Sequence, residues 1–257
     1  MKLNKIELLG VVFLTLVIGF TAGLTSTEPR NTPGESTDNV LSEGQTHLVA
    51  VDREGNGVIT DLSVKTIPGN GRILVDIENL LFFLDTQQSI QTAKDVAERY
   101  LNTNLGNRDI VYNIEIDNSS VVGGESAGGA LTVATIAALS GKPLRDDTIM
   151  TGTIDAEGNV GPIGGLLAKA QAAHNAGFTY FLVPKGQGTY VDYAKQQKCA
   201  PAGRTMVCAT EFKPIRIDIS KEAGIHVIEV ANVEDAVRYF IPNFDDDNHP
   251  RNVTRLA

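Results

Sequence analysis

Apolar and polar residues alternate in the first half of the chain, and the period of the pattern changes near residue 85. In segments 47–52 and 57–67 apolar residues recur at about every second position, and β-branched side chains are frequent, which predicts two strands. From 85 to 101 the apolar residues fall on one helical face, which predicts an amphipathic helix with the apolar positions Ile90, Ala93, Val96, Ala97 and Leu101. Segment 109–116 returns to the strand pattern.

The second half of the chain mixes short strands with helices of small and apolar residues. The pattern predicts helices at 126–140, 165–176 and 232–240, and strands at 148–154, 179–184 and 225–230. The segment 186–221, which contains both cysteines, is predicted to be long and irregular. Because strands and helices do not strictly alternate, the sequence favours an α+β fold over a doubly wound sheet.

The first 27 residues have a pattern of their own. Lys2 and Lys5 precede about 18 uncharged, mostly apolar residues between Leu8 and Thr25, enough to cross a hydrocarbon core about 30 Å thick. We therefore expect residues 1–27 to form a transmembrane anchor or a cleaved signal segment. Since the positive flank stays in the cytoplasm, either form predicts a single-pass cell-membrane protein, or an exported one, whose remaining chain is extracytoplasmic.

Composition divides the rest of the chain. Residues 28–46 are rich in Pro, Gly, Ser, Thr and acids and have little apolar content, which predicts a flexible linker. Residues 47–241 carry the strand and helix patterns and are expected to form one folded domain. Residues 242–257 are a polar tail.

Charge and cysteine content limit the kinds of ligand and partner that the sequence predicts. The formal net charge is −9, and no basic stripe is present, so nucleic acid is not an expected partner. Cys199 and Cys208 are nine positions apart and would form either a disulfide, if the domain is exported, or two partly buried free thiols. Two cysteines alone are too few for a zinc site, and we predict no metal.

The motif GESAG at 124–128 has the G-x-S-x-G pattern that can place a serine nucleophile on a tight turn before a helix. The hydroxyl of Ser126 would need a base to take its proton. In an α/β-hydrolase this base is a histidine on a loop after the serine, but His174 and His226 fall in a predicted helix and a predicted strand. His249 lies in the polar tail, so no histidine is well placed.

A lysine is the other candidate base. Lys169 lies at the edge of a helical face that it shares with Leu166, Ala170 and Ala173. A lysine among such residues can be partly desolvated, which lowers its pKa and lets a neutral amine accept a proton. Taken alone, a lysine in this position more often extends its amine to water.

Several separated motifs resemble the proteolytic domain of Lon proteases, a family with a Ser–Lys dyad. The serine opens a helix after a Gly-rich loop, and Met150-Thr151-Gly152 follows in a strand. The turn Gly158-Asn159-Val160-Gly161-Pro162-Ile163-Gly164-Gly165 and then Lys169 complete the pattern, with 43 positions between serine and lysine. The resemblance covers roughly residues 47–240 and implies a ribosomal S5 domain 2-like fold.

The resemblance implies a serine endopeptidase in which Ser126 and Lys169 are catalytic. Thr151 would orient the lysine, and Gly124 and Glu125 would shape the turn. No G-x-x-x-x-G-K-[ST] motif is present, so we expect no ATP or other cofactor and substrates that are peptides or unfolded chains. Family members usually assemble as rings, which implies a homo-oligomer such as a hexamer.

The sequence departs from the family pattern at three places. Glu125 stands where many members have proline, and an acidic residue there resembles the archaeal-type branch. Leu167 and Ala168 replace more polar residues before the lysine, and the segment 186–221 is longer than expected. None of the three removes Ser126 or Lys169.

Three alternative interpretations remain. A signal-peptidase-like enzyme would also pair a serine with a lysine behind an N-terminal anchor. A non-catalytic Lon-like module would keep the fold for binding or assembly. An α/β-hydrolase would require a histidine as the base.

Overall fold

Four sheets and five α-helices make up residues 40–76, 84–115 and 124–244, the part of the chain that the computed structural model describes. These residues belong to one unit that spans Val40–Ala257. None of the helices among them is long and apolar enough to cross a membrane. The predicted anchor at 1–27 and most of the predicted tail lie outside the described residues.

The first sheet is built from four strands. Strands β1 (Ser42–Val51), β2 (Gly57–Pro68) and β3 (Ile73–Asp76) precede helix α1 (Leu84–Tyr100), and strand β4 (Arg108–Glu115) follows it. The strand order is β1-β2-β4-β3. Strand β2 pairs antiparallel with both β1 and β4, and β3 pairs parallel with β4.

Helix α2 (Gly128–Ser140) is the centre of the larger hydrophobic core. Its sequence is small or apolar on every face, which is typical of a helix that is buried all round, and every residue from Gly128 to Ala138 is buried. It packs against α1 and against β1 and β2 of the first sheet. The first turn of α2 is therefore fixed in position by the core behind it.

The second sheet follows α2 in the chain. Strands β5 (Thr148–Met150), β6 (Thr153–Ile154) and β7 (Val160–Gly161) precede helix α3 (Leu166–Asn175) and strand β8 (Tyr180–Pro184). After the strands β9 (Thr189–Ala202) and β10 (Thr205–Asp218) come helix α4 (Ile219–Ala223), strand β11 (His226–Val230) and helix α5 (Val233–Phe240). The second sheet consists of strands β11, β8 and β5, which are parallel and lie in that order. Strands β6 and β7 pair antiparallel in a separate two-stranded sheet, and β9 and β10 form another.

This arrangement is the mixed α and β structure that the sequence pattern favoured, with three differences in the strands. The predicted strand 148–154 is interrupted at Thr151 and Gly152, between β5 and β6. Gly152 donates its backbone N–H to the carbonyl of Ser126 instead of to a neighbouring strand of the sheet. The interruption therefore lets Gly152 form a backbone hydrogen bond with the loop that contains Ser126.

Strand β1 corrects the predicted boundary between linker and domain. It begins at Ser42, so residues 42–46, which composition assigned to the linker, belong to the fold. They pair with Leu62–Thr66 of β2, and Gly44 lies directly against helix α2. Their polar composition is misleading because the partner strand and helix, which are distant in sequence, supply the contacts.

The segment 186–221 is the second correction. It is not irregular: β9 and β10 form a long antiparallel hairpin whose strands pair from Thr189–Asp218 to Ala202–Thr205. Cys199 and Cys208 face each other across it and are joined by a disulfide, so neither cysteine is a free thiol. Nearly every side chain of the hairpin is exposed.

We predict that Gly44→Ala destabilises the protein, which tests whether residues 42–46 belong to the fold. A Cβ at position 44 would lie 2.3 Å from the carbonyl oxygen of Ala134 and 2.9 Å from the Cβ of Ala137, so strand or helix must shift. We expect the free energy of unfolding in urea to fall by about 1–3 kcal/mol.

Gly106→Ala is the matched control, because Gly106 is exposed and a Cβ there meets only the side chain of Asn104. It should change stability by no more than about 0.5 kcal/mol. Equal, small effects of the two substitutions would show that β1 does not pack on α2 at Gly44.

Candidate active site

Ser126 lies on a tight turn that leads into helix α2. Gly124 has a φ of 119°, a conformation that side-chain-bearing residues rarely adopt, and it directs the chain into a single 3₁₀ turn at Glu125–Ala127. Helix α2 continues from Gly128. The helix predicted at 126–140 therefore begins two residues after the serine, and the hydroxyl of Ser126 lies at the N-terminal end of a buried helix.

Close packing behind the turn holds it against the second sheet. A Cβ at Gly128 would lie 2.9 Å from the backbone nitrogen of Ile154, and one at Gly129 would lie 2.4 Å from the Cε of Met150. Gly129 also donates its backbone N–H to the carbonyl of Gly152 at 3.0 Å. The two glycines let the start of α2 approach β5 and β6 more closely than any side chain would allow.

Lys169 reaches the serine from the other hydrophobic cluster. Helix α3 begins after Gly165, which has the left-handed φ of 69° that favours glycine. Leu166, Ala170 and Ala173 on the buried face of α3 pack with β5, β8 and α4, and Lys169 is buried beside them with only 4% of its surface exposed. The lysine does not extend its amine to water.

Three side chains meet at the break between β5 and β6. The Nζ of Lys169 donates to the Oγ of Ser126 at 3.0 Å and to the Oγ1 of Thr151 at 3.3 Å. The hydroxyl of Thr151, which is fully buried, donates to the carbonyl of Ser126 at 3.2 Å. The structure thus brings together Ser126, Lys169 and Thr151, three of the site residues predicted from sequence.

Burial also sets the charge state of the lysine. Desolvation lowers the pKa of Lys169 from its ordinary value of 10.5 to about 8, because the charged ammonium loses its hydration among apolar neighbours. The amine of Lys169 donates both of these hydrogen bonds to neutral hydroxyl oxygens. The neutral amine, with a lone pair next to the serine hydroxyl, therefore becomes the main form above about pH 8 instead of above 10.5.

An open cleft of about 380 Å³ gives access to these groups. It is lined by Ser126, Lys169 and Glu125, by the Pro162–Gly165 turn, and by Ala50 and Val51 of β1. The side chain of Glu125 is exposed at this cleft, and burial alone accounts for the lowered pKa of Lys169. The last candidate, Gly124, also lines the cleft and acts through its backbone.

None of the three histidines in the described part of the chain contacts Ser126. His47 on β1 pairs with Asp61, the Nε2 and Oδ1 atoms being 3.1 Å apart. His174 lies in α3 next to Gly224, and the ring of His226 stacks on Tyr180. The geometry of an α/β-hydrolase is therefore absent among these residues.

Sequence reasoning missed a polar clamp on the loop before α3. The side-chain amide of Gln187 accepts a hydrogen bond from the backbone N–H of Ile163 and donates one to its carbonyl, each at 3.0 Å. This holds the Gly-rich turn that leads to Lys169. The Pro-Lys-Gly-Gln run after β8 carries no pattern that would have identified Gln187.

A second, more apolar pocket of about 460 Å³ adjoins the cleft. It shares Ile163 and Gly165 with the cleft and is completed by the first turn of α3, by Gly186 and Gln187, and by Thr189 and Tyr190 at the base of the hairpin. The hairpin therefore begins beside the candidate active site.

Comparison with known proteins identifies a related domain. Residues 86–196 match the Lon protease (S16) C-terminal proteolytic domain. The chain is 32% identical over 152 residues to Lon protease of Vibrio parahaemolyticus and 33% identical over 156 residues to that of Escherichia coli K12. It is 53% identical over 60 residues to Lon protease of Chloroflexus aggregans.

These matches cover part of each chain. They include 55%, 57% and 23% of the present chain, and 18%, 19% and 7% of the respective relatives. The chain thus spans less than a fifth of the length of these curated relatives. The matched segment contains Ser126, Thr151 and Lys169. The part of those relatives that the family model describes is their C-terminal proteolytic domain.

We predict that the amine of Lys169 titrates with a midpoint of about pH 8 rather than near 10.5. The shift should appear in the ¹³Cε resonance of lysine-labelled protein, with Lys169→Met used to assign the signal. A midpoint near 10 for the resonance that disappears in Lys169→Met would show that the amine is solvated.

Proposed function

We propose that this chain is a serine endopeptidase in which neutral Lys169 activates Ser126, within a Lon-type proteolytic domain. The observation that carries the proposal is the 3.0 Å contact between Nζ and Oγ, made by a lysine that is 4% exposed. A weakly nucleophilic hydroxyl next to an amine of lowered pKa is the arrangement that general-base activation of serine needs.

The chemistry follows from the positions of these groups. Lys169 takes the proton of the Ser126 hydroxyl as the oxygen attacks the carbonyl carbon of the scissile bond. The charged ammonium then gives that proton to the leaving amine when the C–N bond breaks, which leaves an acyl-enzyme on Ser126. Water attacks the ester as Lys169 accepts one of its protons. Lys169 then gives that proton to the Oγ of Ser126 when the ester C–O bond breaks, which frees the serine hydroxyl and the new carboxylic acid.

The turn and Thr151 have supporting roles in this proposal. The backbone N–H groups of Glu125 and Ser126 open the 3₁₀ turn at the cleft, near the positive end of α2, where they would stabilise the oxyanion of the tetrahedral intermediate. Thr151 accepts a hydrogen bond from Lys169 and donates one to the carbonyl of Ser126, so it orients the amine toward the serine.

The substrates we propose are peptides, loops or unfolded proteins, cleaved without ATP hydrolysis by this chain. The sequence has no P-loop motif that would supply an ATPase. A ring such as a hexamer stays a prediction from the resemblance. The relatives compared above are bacterial, and the archaeal-type assignment from Glu125 also stays a prediction.

We also propose that the domain works outside the cytoplasm, held at the membrane by residues 1–27. The apolar run from Leu8 to Thr25 behind two lysines supports this location. The disulfide between Cys199 and Cys208 supports it independently, because disulfides persist in oxidising compartments and are rare in the cytosol.

We predict that the full-length chain cleaves an unfolded protein and a short fluorogenic peptide with no ATP present, and that both activities need Ser126 and Lys169. Ser126→Ala and Lys169→Met should each lower kcat/KM by at least about 10³-fold, because each removes one partner of a unit that acts together. Folding of the variants is checked by circular dichroism.

His226→Ala is the control, since His226 lies on β11 and does not contact the serine. It should retain full activity. Loss of activity in His226→Ala with retention in Lys169→Met would instead indicate a hydrolase with a histidine base. A folded wild type that cleaves neither substrate would favour a non-catalytic module.

A further inference from the structure

The hairpin of β9 and β10 is the largest feature that the proposed chemistry does not use. Within the described residues these two strands form a separate two-stranded sheet, so both of its outer edges are unpaired. An isolated hairpin of this length is marginal in water, and unpaired edges attract other extended chains. The disulfide joins its strands toward the tip.

The pairing register shows which backbone groups face outward. The Cα atoms of Cys199 and Cys208 are 4.0 Å apart, which is typical of a pair that does not exchange hydrogen bonds. Counting from this disulfide-linked pair, every second residue pair along the hairpin also exchanges no hydrogen bonds. These pairs include Gln197–Thr210 and Tyr193–Pro214. The position of Pro214 agrees, because a proline in a hairpin must lie where no N–H is needed between the strands.

The two edges therefore differ. On β9, the outward backbone groups of Val191, Tyr193, Lys195 and Gln197 form an edge with no proline from Thr189 to Ala200. On β10, Pro214 removes an outward N–H near the base of the hairpin. The β9 edge also begins at the pocket that adjoins the catalytic cleft, since Thr189 and Tyr190 line that pocket.

One face of the hairpin, called the apolar face below, carries most of the exposed large apolar side chains of the hairpin, together with the polar Lys195, Gln197, Thr210 and Arg216. Its side chains come from the same non-hydrogen-bonded pairs and include Val191, Tyr193, Met206 and Phe212, each more than half exposed, together with both prolines and the disulfide. The opposite face carries the Lys198–Glu211 ion pair, several alanines, and the exposed apolar residues Tyr190, Val207 and Ile215. An extended chain on the β9 edge could place alternate apolar side chains beside this face.

We propose that the β9 edge of this hairpin is a docking strand for extended, unfolded polypeptide, which it delivers to the cleft at Ser126. The proposal rests on the proposed peptidase function and names where its longer substrates bind. Backbone hydrogen bonds to the edge do not depend on sequence, and the apolar face adds preference for apolar segments. A substrate strand beside residues 191–199 would extend roughly 30 Å beyond the cleft.

The charge of the hairpin argues for a substrate over a second hairpin. Residues 189–218 contain five Lys or Arg against three Asp or Glu, in a chain of net charge −9. Two such hairpins paired edge to edge would bring like charges together, which is destabilising. A lipid surface could cover the apolar face but could not use the unpaired N–H and C=O groups of β9.

The test compares Gln197→Pro with Thr210→Pro, two residues that face each other in one pair and whose backbone groups point to opposite edges. Each substitution removes an outward N–H and leaves the hydrogen bonds between the strands intact. Both are made in the full-length chain with Ser126→Ala. Binding of a fluorescent, reduced and carboxymethylated protein is followed by anisotropy, so the result does not depend on catalysis.

We expect Gln197→Pro to raise the Kd about tenfold and Thr210→Pro to leave it unchanged. In the background with Ser126 intact, Gln197→Pro should raise KM for the unfolded protein and leave cleavage of a short peptide, which reaches only the cleft, unaffected. Equal effects of the two prolines, or none, would overturn the proposal. The proposal would also be overturned if Gln197→Pro changed only the sedimentation of the protein, because the edge would then pair with a second copy. The same holds if it changed only the binding of anionic vesicles, because the hairpin would then contact a membrane.

A second pair of variants covers the case in which a proline prevents folding. Phe212→Ser on the apolar face should weaken binding of the unfolded protein, and Val207→Ser on the opposite face should not, although the two side chains are similarly exposed at 64% and 58%. Equal affinities would contradict the proposal. Absence of short-peptide cleavage by the wild type would count against the peptidase function alone, since binding is measured separately.

Discussion

A buried ammonium group is costly, and the fold removes the amine of Lys169 from water almost completely. Within the described part of the chain, the amine donates to two neutral hydroxyls, on Ser126 and Thr151, and forms no ion pair with a carboxylate. The neutral form is favoured for that reason, and the pKa falls to about 8. The chemistry that we propose depends on this single effect, because a solvated lysine would stay charged and could not accept the serine proton.

Two separate hydrophobic clusters meet at this amine. Ser126 is fixed by α2, whose buried faces belong to the larger cluster, and Lys169 is fixed by α3 in the smaller one. The break between β5 and β6 connects them. Thr151 accepts a hydrogen bond from the amine of Lys169 and donates one to the backbone carbonyl of Ser126, and Gly152 forms backbone hydrogen bonds with Ser126 and Gly129. Small residues on both sides make the close approach possible. The distance between nucleophile and base is therefore a property of the packed core.

Much of the site could be predicted from sequence because its elements are local. The turn before a helix, the Gly-rich loop before Lys169 and the apolar face of α3 each leave a short-range pattern in the chain. The full burial of Lys169 could not be predicted, because a lysine at the edge of a helix face usually reaches water and the strands that cover this one come from elsewhere. The contact with Thr151 was expected only from the resemblance.

The errors in prediction share a physical cause. Residues 42–46 are polar and read as a linker, yet they are a strand because β2 and α2 supply partners from other parts of the chain. The β9–β10 hairpin was predicted to be irregular because its sequence lacks a clear alternation of apolar and polar residues. Both of its faces are exposed among the described residues, so the strands need no such alternation even though their pairing is regular. The clamp formed by Gln187 depends on a loop 24 positions away. Contacts between distant segments leave little trace in local sequence.

The most direct measurement of the central claim is the rate at which a fluorophosphonate phosphonylates Ser126, with loss of fluoride, as a function of pH. The modified residue is identified by mass spectrometry. If Lys169 is the base, the rate rises with a midpoint near the lysine pKa of about 8, and Lys169→Met abolishes labelling in a folded protein. Labelling of Ser126 that persists in Lys169→Met with an unchanged pH profile would contradict the account.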